Sequence, residues 1–323
     1  MFNENKYEPR ENPEPREKNP RKKLEKLMLE ISREVNQALG LDLINQEGAI
    51  DMQAWAKANG SQDLKNDQNF VKAREIKFSG IDQESVRNDY LRNYGLREEE
   101  AMLEQYRKER EKQKGIIFEK AKTALFHKFV GDKFVVVHTS HYDDYKNNVD
   151  NLMVNRETGD PVCAFDEVRA EGENDKKLQE KIDKVKNLAE NGGTEIKYGF
   201  SFDKDLKNGN NALVLKKLKN IPTFCLSVTS KNLDELLEAI SDDPHDEPSQ
   251  TEQKIFQELV RALREQTEML RPNTDSQKQF RSAGHSLRAQ MKTFQKINLC
   301  SALEQNLRNF ESSLKIMENR VGK

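Results

Sequence analysis

The chain has 323 residues, of which 35% are hydrophobic and 34% are charged, so much of its length must lie in solvent. The formal net charge of −2 excludes a global electrostatic attraction to nucleic acid. The three cysteines are widely spaced and form no CxxC pair, which excludes a disulfide framework and indicates a reducing compartment. No apolar run is long enough to cross a bilayer, and the N-terminus lacks the apolar centre of a signal peptide. We therefore expect a cytoplasmic protein without membrane contact.

The first third of the chain is predicted to be a charged tail followed by helices. Residues 1–21 contain four of the nine prolines and are expected to be disordered. Residues 22–115 are expected to form a helical segment, since apolar residues recur at helical spacing from Leu24 to Val35 and Gly40 follows as a stop. Within it, residues 83–114 are predicted to form a charged helix with Gly95 as a candidate break.

Residues 116–242 are predicted to form an α/β core. An amphipathic helix over 116–129 precedes an apolar strand over 134–138. Further helices are predicted over 175–189 and 233–240, and further strands over 194–202 and 222–229. The acidic stretch 243–253 is predicted to be a linker.

The most informative segment runs from Asp143 to Arg169. Apolar and polar residues alternate on both sides of Thr158-Gly159, which predicts a β-hairpin. A two-residue loop would pair Val154 with Cys163, Leu152 with Phe165, and Asp150 with Glu167. Two carboxylates would then lie opposite each other at the end of an apolar face, where like charges repel unless a cation lies between them. Mg²⁺ is a suitable cation, because it favours oxygen ligands and is commonly held by one or two carboxylates.

Residues 254–323 are predicted to form a helical hairpin or a coiled coil. Apolar residues follow the 3-4 spacing of a heptad seam at Cys300, Leu303, Leu307, Phe310, Leu314, Met317 and Val321. The stripe continues upstream through Leu287, Met291, Phe294 and Ile297, and Pro272-Asn273 marks a turn. We favour an antiparallel hairpin within the chain. The alternative is that the seam binds a helical partner or a second copy of the chain.

The order of elements from Ile116 to Thr229, with acids at Asp150 and Glu167, resembles the PD-(D/E)XK nuclease superfamily, which has the restriction-endonuclease-like fold. The resemblance implies a mixed sheet with flanking helices over about a third of the chain. Asp150 matches the acid that begins the second strand, and Glu167-Val168-Arg169 matches the acid-x-Lys triplet with Arg in place of Lys. Glu119 matches a further acid on the preceding helix.

That resemblance implies a nuclease that uses Mg²⁺ or Mn²⁺ and acts on DNA or RNA. Asp150 and Glu167 would bind the metal, Arg169 would stabilise charge on the phosphate, and Glu119 would be an accessory acid. Arg is a poor proton relay because it stays protonated. A lysine that has migrated from elsewhere is an alternative to Arg169, and the candidates are Lys176, Lys177 and Lys197.

Three other interpretations of these residues remain open. Glu167 and Arg169 would form only a surface ion pair if the strand end were solvated. A cluster of His138, His141 and Asp143 would be able to bind Zn²⁺, although its spacing crosses a strand end and no cysteine supports such a site. The chain would also suit a non-enzymatic interaction protein. In that case its helices would bind a partner, and the nuclease-like core would be degenerate.

Overall fold

The computed structural model describes residues 19–61, 63–171, 175–204, 211–270 and 301–321. Over these residues the chain is an α/β protein with eleven helices and a mixed four-stranded sheet that helices flank. Most of the predicted tail lies outside the described residues, as do the predicted turn at Pro272-Asn273 and the stripe over 287–297. No helix in the described ranges is both long enough and apolar enough to cross a membrane.

Helices make up most of the described chain. They are α1 (Pro20–Leu39), α2 (Met52–Asn59), α3 (Leu64–Ser79), α4 (Glu84–Tyr94), α5 (Glu99–Arg110), α6 (Lys114–Val130), α7 (His141–Asn147), α8 (Lys176–Glu190), α9 (Ser230–Ala239), α10 (Gln250–Leu270) and α11 (Ser301–Val321). The strands are β1 (Phe134–His138), β2 (Asn151–Asn155), β3 (Pro161–Arg169), β4 (Thr194–Ile196), β5 (Phe200–Lys204), β6 (Asn211–Leu215), β7 (Leu218–Ile221) and β8 (Thr223–Val228).

Local sequence signals set several helix ends. Helix α1 starts two residues before the predicted Lys22, because Asn19 accepts a hydrogen bond from the backbone of Arg21 and Pro20 occupies the first turn. The predicted break at Gly95 is confirmed. Gly95 has a φ of 69° and ends α4, since a left-handed residue cannot continue a helix.

The main sheet has the strand order β1-β2-β3-β8. Strand β2 is antiparallel to both β1 and β3, and β8 is parallel to β3. Helix α6 packs on one face, where the ring of Phe126 lies 5.4 Å from that of Phe165. Helix α8 covers the other face, where Val168 and Cys225 cluster with Val185. Successive residues of a strand point to opposite faces, so β3 contributes to both layers.

The predicted hairpin exists, but its predicted register is wrong by one residue. Phe165 pairs with Asn151 rather than Leu152, and Cys163 pairs with Met153 rather than Val154. The connection is longer than two residues, and a bulge lies between Met153 and Val154.

The hairpin turn depends on Asn155 and Gly159. The side chain of Asn155 accepts hydrogen bonds from the backbone of Glu157 and Thr158, which closes a loop longer than the predicted one. Gly159 has a φ of 78°, and a Cβ there would lie 1.6 Å from the carbonyl oxygen of Phe202. No other residue type fits at this position without moving the backbone.

The prediction of a single strand over 194–202 is also wrong. It is split into β4, which pairs with β7, and β5, which pairs with β6. Between them the backbone N–H groups of Lys197 and Tyr198 donate to the carboxylate of Asp143 at 2.7 and 3.1 Å. These donors serve a buried side chain instead of a neighbouring strand, so the ladder is interrupted.

The C-terminal helices pack on the sheet within the same chain. Helix α11 contacts α10, β3 and β7, and the ring of Phe310 stacks on that of Phe224 at 4.4 Å. The seam residues from Leu303 to Met317 are buried and belong to the same hydrophobic core as the sheet. The side chain of Gln266 on α10 exchanges two hydrogen bonds with the backbone of Cys225, which covers the open edge of β8.

Replacing a seam residue tests this packing. We expect Phe310→Ala to lower the free energy of unfolding by about 3–5 kcal/mol, because it removes a fully buried ring and leaves a cavity. Lys315→Ala, at an exposed position of the same helix, should change it by less than about 0.5 kcal/mol. Urea denaturation measures both. If the seam joined two chains instead, the wild-type midpoint would rise with protein concentration.

Candidate active site

One face of α6 carries polar side chains toward the strand ends of the sheet. Glu119, Lys122, Thr123 and Phe126 have the i, i+3, i+4, i+7 spacing that places residues on one side of a helix. Phe126 packs on the sheet, so the polar residues one and two turns before it reach the ends of β1, β2 and β3. The spacing along α6 thus brings Glu119 and Lys122 to the edge of the core.

Lys122 is fully buried, although the sequence favours a surface lysine beside Glu119. Its Nζ forms an ion pair with Oε1 of Glu167 and donates to Oδ1 of Asn151 at 2.5 Å. It also lies 4.7 Å from the ring centre of Phe165. A signal for this burial is present in the sequence, because Lys122 stands in the same helical stripe as Phe118, Phe129 and Phe126.

Asp150 lies just before β2, and this position decides where its carboxylate points. A one-residue register shift would place Asp150 and Glu167 on opposite faces if both were inside strands. The backbone of Asp150 still bonds to both neighbours, since its N–H donates to the carbonyl of Phe165 at 2.8 Å and its carbonyl accepts from the N–H of Thr139 at 2.9 Å. The predicted pairing of Asp150 with Glu167 is therefore wrong, and a side-chain contact joins them instead. Oδ2 of Asp150 accepts a hydrogen bond of 2.6 Å from the backbone N–H of Glu167, across the strand end. The structure therefore brings the two predicted acids together, by a route other than the predicted pairing.

Asp150 and Glu119 line a small pocket of about 40 Å³. Glu167 lies behind Asp150 and is 7% exposed. The pocket wall also contains residues from the N-terminal helical segment and from α7. Its remaining lining residues are Glu47, Ala49, Arg110, Glu111, Ile116, Lys120, His138, Thr139, His141 and Asp144.

Burial and neighbouring carboxylates raise the pKa of two of these acids, Glu119 and Asp150. Burial and then the charges of Asp150 and Glu167 raise the pKa of Glu119 well above its usual value. Burial, the charge of Glu167 and a hydrogen bond between the two carboxyl groups raise the pKa of Asp150 in the same direction. The acids are therefore more stable with a bound proton, or with a cation between them, than with every carboxyl group ionised and unpaired.

The oxygen donors near the pocket include two predicted metal ligands, Asp150 and Glu167. Oε2 of Glu167 is buried and receives no hydrogen bond from any described residue. Within the described ranges no three His, Cys, Asp or Glu side chains form a ready metal cage. Mg²⁺ does not need one, since it is usually held by one or two carboxylates together with water and phosphate oxygens. Asp150 and Glu167 are the residues that would hold it, with Glu119 beside them.

Arg169 lies outside this group. It is at the far end of β3, about half exposed, with its Nε 3.6 Å from Oε1 of Glu171. The alternative lysines are also elsewhere. Lys176 forms an exposed pair with Glu180, Lys177 is in the first turn of α8, and Lys197 pairs with Asp67. The cation that contacts Glu167 is Lys122, which sequence reasoning missed.

Asp143 has a structural role that competes with the zinc interpretation. Besides the backbone of Lys197 and Tyr198, its carboxylate accepts hydrogen bonds from Ser140 and Asn147. His138 is buried, and burial together with the charge of Lys122 lowers its pKa well below the usual value. Both oxygens of Asp143 are thus engaged by the protein itself, which leaves them poorly placed to bind zinc.

A second acidic centre lies on the opposite face of β3. Asp166 is fully buried and forms ion pairs with Lys181 and Lys184 of α8. Burial and the charge of Asp150 raise the pKa of Asp166 to about 6, against the effect of the two lysines. Adjacent acids of β3 therefore anchor different helices: Glu167 binds α6 and Asp166 binds α8.

Comparison with known proteins gives no match to this chain. No family model, no curated protein and no solved structure is significantly similar to it.

Breaking the buried pair should be costly. We expect Lys122→Met to lower the free energy of unfolding by about 3–5 kcal/mol, because Glu167 is left as an uncompensated buried charge. The double variant Lys122→Met/Glu167→Gln should recover most of this loss. Lys120→Met is the matched control on the same helix, where a partly exposed pair with Glu111 should contribute less than about 1 kcal/mol. Equal losses for the two lysines, measured in urea, would contradict the assignment.

The crowded acids also predict a pH dependence. The folded protein holds protons on Glu119 and Asp150 to higher pH than the unfolded chain does, so their contribution to stability falls as pH rises above the ordinary carboxyl range of about 4. Glu119→Gln should therefore raise the unfolding temperature by about 2–4 °C at alkaline pH and change it little under acidic conditions.

The control for this effect is Glu47→Gln. Glu47 lines the same pocket but is exposed, so its loss should leave the pH profile unchanged. Differential scanning calorimetry across the pH range compares the three proteins. A Glu119→Gln variant that is less stable than wild type at alkaline pH would show that the acids do not repel one another.

Proposed function

We propose that this protein is a metal-dependent nuclease that hydrolyses phosphodiester bonds in DNA or RNA. The observation that carries the proposal is the meeting of Glu119, Asp150 and Glu167 beside Lys122. These residues come from a helix, a strand start and the neighbouring strand, at the positions that the resemblance to the PD-(D/E)XK superfamily assigns to the acids of the site. Lys122 supplies the positive charge that Arg169 was expected to provide.

The order of elements supports the finer assignment to a restriction-endonuclease-like core. Helix α6 precedes β1, α7 lies between β1 and the β2–β3 hairpin, and α8 is followed by the short strands β4–β7 before the parallel strand β8. With α7 and β4–β7 set aside as additions, this is the succession of helix, strand, hairpin, helix and strand on which the resemblance depends, in a mixed sheet with helices on both faces. We take α6–β1–β2–β3–α8–β8 as the nuclease core.

Mg²⁺ or Mn²⁺ bound at Asp150 and Glu167 would polarise the scissile phosphate and activate a water molecule. The residues of the chain prepare that position. Lys122 fixes Oε1 of Glu167, so that Oε2 remains available, and the backbone of Glu167 fixes Oδ2 of Asp150. Glu119, with its raised pKa, is suited to hold or transfer a proton at the mouth of the pocket.

One observation favours the second candidate, a non-enzymatic interaction protein with a degenerate core. Arg169, in the triplet's lysine position, is about half exposed and pairs with Glu171 instead of the acids, and Lys122 is fully buried. In that case the Lys122–Glu167 pair would serve stability alone. The two candidates differ in whether the pocket binds a divalent cation and supports cleavage.

A cleavage assay tests the proposal. With Mg²⁺ or Mn²⁺, wild-type protein should cut at least one substrate among single-stranded DNA, duplex DNA and RNA, and Glu167→Gln and Asp150→Asn should not. Lys176→Ala, at an exposed position, should cleave as wild type does. Arg169→Ala should also retain cleavage if Lys122 provides the positive charge, and it should lose cleavage if Arg169 does.

Metal binding provides a second readout of the same prediction. Millimolar Mg²⁺ should raise the unfolding temperature of wild-type protein, because a ligand that binds only the folded state stabilises it. Asp150→Asn should show no such gain. An equal response in both proteins, together with no cleavage of any substrate, would favour the interaction protein.

A further inference from the structure

A row of aromatic rings leads away from the acidic pocket. It consists of His141 and Tyr145 on α7 and Phe78 on α3, and we call it the aromatic strip. His141 lines the pocket, its ring lies 6.1 Å from that of Tyr145, and the ring of Tyr145 lies 5.6 Å from that of Phe78. The strip therefore begins at the carboxylates and ends on the outer surface of the helical segment.

The outer end of the strip is unusually exposed. Phe78 is 57% exposed, and His141 is also accessible to solvent. Leaving half of a phenylalanine ring in water forfeits a large part of its burial free energy, so core packing alone does not account for this residue. Exposed aromatic surface beside a polar pocket is typical of a binding site.

Positive charge accompanies these rings. The guanidinium of Arg110 lies 5.1 Å from the ring centre of Tyr145 and forms an ion pair of 3.0 Å with Asp144. On the adjoining face, Arg74 and Lys146 lie over the ring of Phe70, at 5.3 and 5.7 Å from its centre. Rings interleaved with cations are the arrangement that binds unpaired bases and the phosphates between them.

We propose that the aromatic strip binds an unpaired strand of nucleic acid, whose bases stack on Phe78 and His141 while its backbone enters the pocket. This inference rests on the proposed nuclease function and specifies that the substrate is single-stranded. Rings contact the faces of bases, which are exposed in a single strand and covered in a duplex. DNA and RNA share these faces, so the occupant is the unpaired strand whatever its sugar.

The negative charge around the pocket indicates that affinity for nucleic acid would come from base stacking and not from attraction to phosphates. Glu47, Glu111, Glu119, Asp144 and Asp150 all line the pocket, against Arg110 and Lys120. A duplex laid across this opening would bring many phosphates close to the acids, whereas a single strand held by its bases brings few.

Binding of a fluorescent oligothymidylate of about 20 nucleotides, measured by anisotropy in EDTA, tests the strip without cleavage. Phe78→Ala should weaken binding about tenfold, because one stacked base loses its partner. Phe78→Trp should restore it. Tyr94→Ala is the matched control, since Tyr94 is 49% exposed on the same helical segment but packs on Tyr90 instead. It should bind as wild type does.

His141→Ala provides a second variant at the other end of the strip and should weaken binding in the same direction. Oligouridylate of the same length should bind within about threefold of the DNA, and a duplex of that length should bind weakly and equally to all variants. Unchanged unfolding temperatures would show that the exposed substitutions leave the fold intact.

Several results would overturn the inference. They are equal losses for Phe78→Ala and Tyr94→Ala, a loss of duplex binding as large as that of single-strand binding, or no binding of any oligonucleotide by wild type. The last result would assign the strip to a protein partner. Tight single-strand binding without cleavage in Mg²⁺ or Mn²⁺ would leave this inference standing and refute the nuclease.

Discussion

The buried ion pair between Lys122 and Glu167 is the interaction on which the site depends. It connects the middle of α6 to β3, and the hydrogen bond from Lys122 to Asn151 adds β2. Removing two charges from water is costly, and an apolar pair of equal volume would often be as stable. The pair therefore matters because it fixes one orientation of α6 across the sheet. That orientation determines where Glu119 lies relative to Asp150.

The same constraint concentrates negative charge at one end of the core. The backbone of Glu167 holds Asp150, the helix holds Glu119, and burial keeps water from screening the repulsion between them. A fold that maintains this arrangement gives up stability at neutral pH, as functional sites commonly do. A proton or a divalent cation would relieve the repulsion.

The helices outside the core complete the pocket. Arg110 comes from α5, Glu47 from the loop after α1, and His141 from α7. The C-terminal helices stabilise the opposite side, where the buried pair between Lys128 and Glu252 connects α6 to α10. The main hydrophobic core contains residues from Leu24 to Met317, so α1, α2 and the C-terminal helices pack with the sheet, while Ile81, Met102 and Leu103 form a separate cluster. The walls of the site therefore depend on segments that lie far from the acids in sequence.

The sequence by itself determined the local elements. Alternation predicted the hairpin, Gly95 ended a helix, and the acids at Asp150 and Glu167 indicated a common site, because period and φ preference act over a few residues. Tertiary structure decided the remainder. The register followed from the Asn155 turn and a bulge, and Lys122 rather than Arg169 met Glu167 because α6 packs with that stripe inward. Contacts between side chains that are distant in sequence depend on how the helices and strands pack. Local periodicity does not determine that packing.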